Sequence, residues 1–158
     1  MNNKCLDCSF RLASISDALQ VYNWRSSPEV VRGMATTLPE NYNKHLFWFE
    51  RELANSARQM FILKYRDYEI GFFSFYEIDW EEGVATFSWY IGETAFRGIG
   101  LSRCFLDLLL KYFFSVLKLK SLNCTVKKDN LIALNLYLGS DFTLVADDES
   151  YFYLVTQR

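Results

Sequence analysis

Between residues 59 and 91 the chain alternates with a period of two, and this stretch limits the fold more than any other. "QMFILKY" (Gln59–Tyr65), "EIGFFSFYEIDW" (69–80) and "VATFSWYI" (Val84–Ile91) read as three strands. The connectors, 66–68 and 81–83, are hairpin-sized, so an antiparallel meander is expected. The middle strand is apolar on both alternating faces, Phe73 and Phe75 on one, Phe72, Tyr76 and Ile78 on the other. Water on either face would leave those rings exposed, so helices should cover both sides of the sheet. The fold class expected is α/β in the α+β sense: a central mixed, mostly antiparallel sheet flanked by helices on both faces.

The remaining elements fit around that meander. Residues 8–13 read as a first strand, and Ser16 or Asp17 caps a short helix through Trp24, ended by the "SSP" turn at 26–28. A helix follows Pro39 and runs to about Asn55, with Leu46, Phe49 and Leu53 at helical spacing. A longer one is expected over 101–117, its buried stripe being Leu101, Phe105, Leu108, Leu109 and Tyr112. Ser121–Lys127 is a strand, Leu131–Leu138 a helix, and two strands near 142–146 and 151–156 close the chain. With two prolines and no repeat or linker, residues 1–158 read as one domain.

Charge narrows the partners. A formal net charge of −2, without a basic block, argues against nucleic acid or an anionic membrane. No apolar run reaches the roughly 18 residues that span a bilayer, and "MNNKCLDCSF" lacks a secretion-type apolar core, so a cytoplasmic location is expected. Oligomeric state is left open, a homodimer included. Aromatics make up 18% of the chain, enough for some to line a pocket as well as a core. Cys5 and Cys8 form a CxxC, but no second pair or histidine cluster completes a zinc site. The four cysteines, Cys5, Cys8, Cys104 and Cys124, are expected as reduced, structural thiols, and no metal is expected.

"FRGIGLSRCF" (96–105) places Arg97, Gly98, Ile99, Gly100, Leu101 and Ser102 between a strand and a helix. It is either a tight turn or a phosphate cradle. Glycines let backbone approach closely, the first helical amides point outward unpaired, and Arg97 suits phosphate oxygens. A Walker loop is excluded because no Gly-Lys-Ser/Thr follows, and a dinucleotide fingerprint because Arg103 stands where a third glycine belongs.

Downstream lies "VKKDNLIALNLYLGSDF", with Asn130, Ala133, Leu136, Tyr137 and Phe142 in register. Together the two motifs resemble the GNAT superfamily of acetyl-CoA-dependent N-acetyltransferases, whose patterns are Q/R-x-x-G-x-G/A and V-x-x-x-N-x-x-A-x-x-L/F-Y-x-x-x-G-F. Ser102 replaces a small residue, and Asp141 stands where glycine is usual, so Gly139 is expected to end the helix. The resemblance implies acetyl-CoA as cosubstrate, its pyrophosphate on the loop at 97–102 and its pantetheine arm along Trp89 to Ile91. An amide near Ile91 would polarise the thioester carbonyl. Asn130 would contact the coenzyme or cap its helix. Tyr137 would be the general acid or a core aromatic, and Glu77 the general base or a surface carboxylate, with water as a substitute.

The front half suggests the acceptor. "YNWRSSPEVVRGM" followed by "KHLFWFE" resembles the N-acetyltransferases of the pseudaminic acid pathway, which modify the 4-amino group of a nucleotide-linked amino sugar. That resemblance implies a nucleotide-sugar pocket of Arg25, Met34, His45 and Trp48, with Pro28 in the turn and Phe87 as a further wall. An arginine suits a diphosphate, and Met with an aromatic suits a base. His45 and Trp48 would otherwise be structural. Ser27, Ala35 and Thr125 depart from the pattern. The alternatives are a protein N-terminal acetyltransferase of the ribosomal-protein type and a non-catalytic acetyl-CoA sensor.

Overall fold

A computed structural model describes residues 3–158. Its centre is one seven-stranded sheet in the order β1-β2-β3-β4-β5-β7-β6. The strands are β1 (Cys8–Leu12), β2 (Gln59–Tyr65), β3 (Tyr68–Asp79), β4 (Val84–Ile91), β5 (Ser121–Lys127), β6 (Thr143–Asp147) and β7 (Tyr151–Gln157). Among the described residues only β4 and β5 pair in parallel. The helices are α1 (Asn3–Leu6), α2 (Ala18–Ser26), α3 (Pro28–Gly33), α4 (Tyr42–Leu53), α5 (Leu101–Lys111) and α6 (Leu131–Leu138).

The sheet is covered on both faces, as the doubly apolar β3 requires. On one face Phe61, Leu63, Phe73 and Phe75 pack against Leu101, Phe105, Leu106 and Leu109 of α5. On the other, Met60, Ile62, Phe72 and Tyr90 meet Ala18, Val21 and Trp24 of α2 and Phe49 of α4. Alternation along β2 thus feeds two cores from one strand. No helix among the described residues is long and apolar enough to cross a membrane.

Several local expectations are corrected. Ile78 lies in the α5-side core with Phe75, not beside Phe72 and Tyr76. Glu77 is in the left-handed region (φ 51°) where the β3–β4 register shifts, and this bulge turns the strand over. The turn at 26–28 is only a break: Pro28, whose missing amide suits a first helical turn, starts α3. α5 stops at Lys111, and Tyr112–Val116 continues as a wider π-turn, with the Leu117 amide donating to the Tyr112 carbonyl at 3.0 Å. Gly139 does end α6, as its C-cap at φ −78°, while the left-handed conformation falls on Asp141 at φ 66°. Cys5 and Cys104 form a disulfide, while Cys8 and Cys124 remain free and buried, so two of the four cysteines are not reduced thiols.

Candidate active site

β4 and β5 are paired only at Val84–Ser121, Ala85–Leu122 and Thr86–Asn123. Beyond Thr86 they part, and a cavity of about 500 Å³ fills the wedge. β4 contributes Phe87 to Ile91, β5 contributes Cys124, Thr125 and Val126, and α6 contributes Ala133, Leu136 and Tyr137. A strand edge without its neighbour has main-chain donors and acceptors to satisfy, and an extended ligand arm satisfies them as an added strand does.

The loop before α5 closes one end through Arg97, Gly98, Gly100 and Ser102. Gly98 (φ +70°) and Gly100 (φ +86°) are both left-handed, and a Cβ at either would meet nothing within 4 Å. Dihedral angles, not crowding, therefore require these glycines, and the space beside them is open. Gly100 is the N-cap of the 11-residue α5, so unpaired amides and the positive dipole end meet at this mouth. The wedge, the open loop and the helix terminus together fit an extended ligand ending in phosphates. Arg97 is partly committed elsewhere, its Nε donating to the Ile91 carbonyl at 2.8 Å and bracing the loop against β4. Ile99 and Leu101 do not line the cavity. The Ile99 carbonyl accepts from Lys4 Nζ at 2.9 Å, and Leu101 is buried in the core.

Tyr137 is buried between Phe87 and Phe142, and its hydroxyl accepts from Trp89 Nε1 at 2.9 Å. Burial, mainly, pushes its pKa well above the ordinary phenol value, with nearby Cys124 adding to the rise and the Trp89 N–H opposing it. Asn130 caps α6, its Oδ1 accepting from the Ala133 amide at 3.2 Å. Its Nδ2 donates to the Gly33 carbonyl at 3.1 Å and so ties α3 to the cavity wall. Glu77 stands on the exposed bulge, within reach of Thr86 Oγ1 at 3.4 Å, and lines neither this cavity nor the next.

A second cavity of about 310 Å³ lies between the sheet and the α2–α4 layer. Arg25, Met34, His45 and Trp48 all line it, with Arg58, Ser74 and aromatic walls. Met34, Thr36, Tyr76, Ser88 and Tyr90 line both cavities, so the two meet along β4. Arg25 is 7% exposed and donates through Nη2 to the carbonyl and Oγ1 of Thr36, both neutral oxygens. Its Nη1 has no hydrogen-bond partner among the described residues. Burial lowers its pKa, the expected response of a cation without a carboxylate. His45 is held by the Ala18 carbonyl 3.0 Å from Nε2. A carbonyl only accepts, so Nε2 carries the proton, and burial lowers the pKa, keeping the ring neutral.

Arg58, Ser74, Thr36 and Ser88 lie outside every motif of the sequence. Ser74 and Ser88 are cross-strand partners, and that small polar pair amid aromatics is a signal visible once the hairpin register is known. Thr36 sits in an irregular segment without periodicity. Among the described residues no group of three His, Cys, Asp or Glu is placed to hold a metal ion.

Known proteins resemble this chain in sequence and in fold. A family model described as an acetyltransferase (GNAT) domain matches residues 9–143. Acetyltransferase PseH of Campylobacter jejuni serotype O:2 is 29% identical over 140 residues, covering 87% of this chain and 84% of that protein. The crystal structure of Campylobacter jejuni N-acetyltransferase PseH superposes with a TM-score of 0.74 at 19% identity, covering 96% of this chain and 99% of the other. Spermidine N-acetyltransferase from Vibrio cholerae, solved in complex with CoA and spermine, superposes with a TM-score of 0.88 at 16% identity, covering 96% of each chain. The match across residues 9–143, falling on a chain with parted strands and a glycine-opened helix, makes this protein a member of the GNAT family, an acetyl-CoA-dependent N-acetyltransferase.

Proposed function

We propose that this enzyme acetylates the 4-amino group of a nucleotide-linked amino sugar. The observation that carries the reading is Arg25, a buried guanidinium with an unpartnered Nη1 in a cavity lined by rings and small polar groups and by no aspartate or glutamate. Such a site prefers an anion joined to a flat apolar group, which describes a nucleoside diphosphate. A polyamine would bring several positive charges to two guanidiniums, Arg25 and Arg58, and the spermidine enzyme's likeness is one of fold. A peptide N-terminus would call for an open groove with acidic contacts, which this cavity lacks.

Acetyl-CoA, when bound, supplies the thioester that the amine attacks. In this reading the amides and glycines of 97–102 hold its pyrophosphate, with Asn130 beside them, and the free edge of β4 from Trp89 to Ile91 aligns the arm. The main chain near Ile91 polarises the carbonyl. Tyr137 gives its proton to the departing sulfur. A phenol near pKa 10 protonating a thiol near 8.5 is uphill by about 2 kcal/mol, and burial of Tyr137 makes it more so. Transfer therefore has to accompany C–S cleavage, while the Trp89 N–H steadies the forming phenolate. Glu77 lines neither cavity, and in this reading water at the mouth takes the amine's proton.

The test is thiol release from acetyl-CoA with a panel of amino-sugar nucleotides, peptides and polyamines. Turnover is expected with the sugar nucleotides. Arg25→Ala should lower that kcat/KM by about 30-fold or more, the usual cost of losing one side of a desolvated charged contact. Thiol release with polyamines or peptides only, or unchanged sugar turnover in Arg25→Ala, refutes the proposal.

A further inference from the structure

The acceptor cavity holds two guanidiniums in opposite electrostatic states. Arg25 touches only neutral oxygens. Arg58 donates through Nε to Glu52 Oε2 at 2.6 Å and through Nη1 to Ser74 Oγ at 2.9 Å. Glu52 is buried and also accepts from Arg51 Nε at 3.2 Å and Asn55 Nδ2 at 3.1 Å. These donors outweigh its desolvation and hold it ionised, so the Arg58 charge is balanced in place. Its guanidinium carbon also sits 5.3 Å from the Trp48 ring centroid and 4.8 Å from that of Tyr76. Two bonds and two rings fix the fork, and its side chain keeps 17% exposure within a residue that lines the cavity.

We propose that Arg58 is a specificity-determining residue that reads an uncharged oxygen of the acceptor, a hydroxyl or carbonyl, while Arg25 takes its anion. The inference rests on the reading of this cavity as the acceptor site. A rigid fork whose charge Glu52 offsets in place gains less from a second anion than Arg25 does, but it still presents N–H groups at fixed angles. Arg25, with no counter-charge, gains most from one. The cavity therefore has a charged end and a neutral end, and together they fix which way round the acceptor enters.

The experiment measures uridine diphosphate binding by calorimetry, and acceptor KM against ionic strength, in four enzymes. They are wild type, Arg25→Met, the double variant Glu52→Gln/Arg58→Met, which leaves no orphan carboxylate, and Glu52→Gln. The double variant should raise the amino-sugar nucleotide KM about tenfold, as for a lost hydrogen bond from a charged donor, with uridine diphosphate affinity and salt dependence near wild type. Arg25→Met should lose uridine diphosphate binding and flatten the salt dependence. Glu52→Gln, which unmasks the Arg58 charge, should tighten uridine diphosphate binding and steepen that dependence. A double variant that loses uridine diphosphate as Arg25→Met does, or that keeps a wild-type KM, overturns the role of Arg58 while leaving the acceptor class standing. Wild-type turnover of polyamines or peptides alone overturns the acceptor class itself, and Arg58's role with it.

Discussion

Tyr137 shows how one side chain can be poor by one measure and suitable by another. Its raised pKa makes it a weak acid at rest, yet the same burial favours the protonated hydroxyl. A donor held in its protonated form suits the proposed step, in which the acceptor's charge appears only as a bond breaks. Replacing it with phenylalanine should reduce kcat by about 10²- to 10⁴-fold, the range for a lost general acid. Calorimetric affinity for coenzyme A should stay near wild type, because only an oxygen is removed from a wall that remains aromatic. A variant that keeps its turnover would mean that the proton comes from elsewhere.

At the scale of elements, the sequence was most legible where side-chain alternation decides the structure. β2, β4, β5 and α6 begin and end where their apolar patterns do. Legibility failed where the backbone departs from a regular period. The bulge at Glu77 moves Ile78 to the opposite core, and the π-turn after Lys111 shortens α5. Neither interrupts the apolar pattern with a glycine or proline that would mark it in the sequence. Asp141 is a third case, an L-residue at φ 66° directly after α6 and its turn. Left-handed backbone costs an L-residue about 1–2 kcal/mol, less for aspartate, so Asp141→Gly should gain up to about 1 kcal/mol. Thermal unfolding should then shift upward by about 2–4 °C, and an unchanged or lower Tm would show that the Asp141 side chain makes up for its strain.

For the molecule as a whole, the disulfide between Cys5 and Cys104 spans 99 residues and ties the start of the chain to the first turn of α5. Closing so long a loop restricts the unfolded chain, and reduction should cost about 2–4 kcal/mol. Calorimetric scans with and without dithiothreitol should differ by several degrees, and Cys5→Ser should be insensitive to the reductant. Equal scans for the native protein would count against the bridge. The cavity proposed for the acceptor was only half visible in the sequence, because Arg25, Met34, His45 and Trp48 share a motif whereas Arg58 and the Ser74–Ser88 pair are gathered by folding alone. The seam where β4 and β5 diverge has a further consequence. A slot edged by main chain is indifferent to most amino-acid replacements, so side chains of the helical layer above it, and with them the proposed choice of amine, can change without rebuilding the proposed seat of the acyl donor.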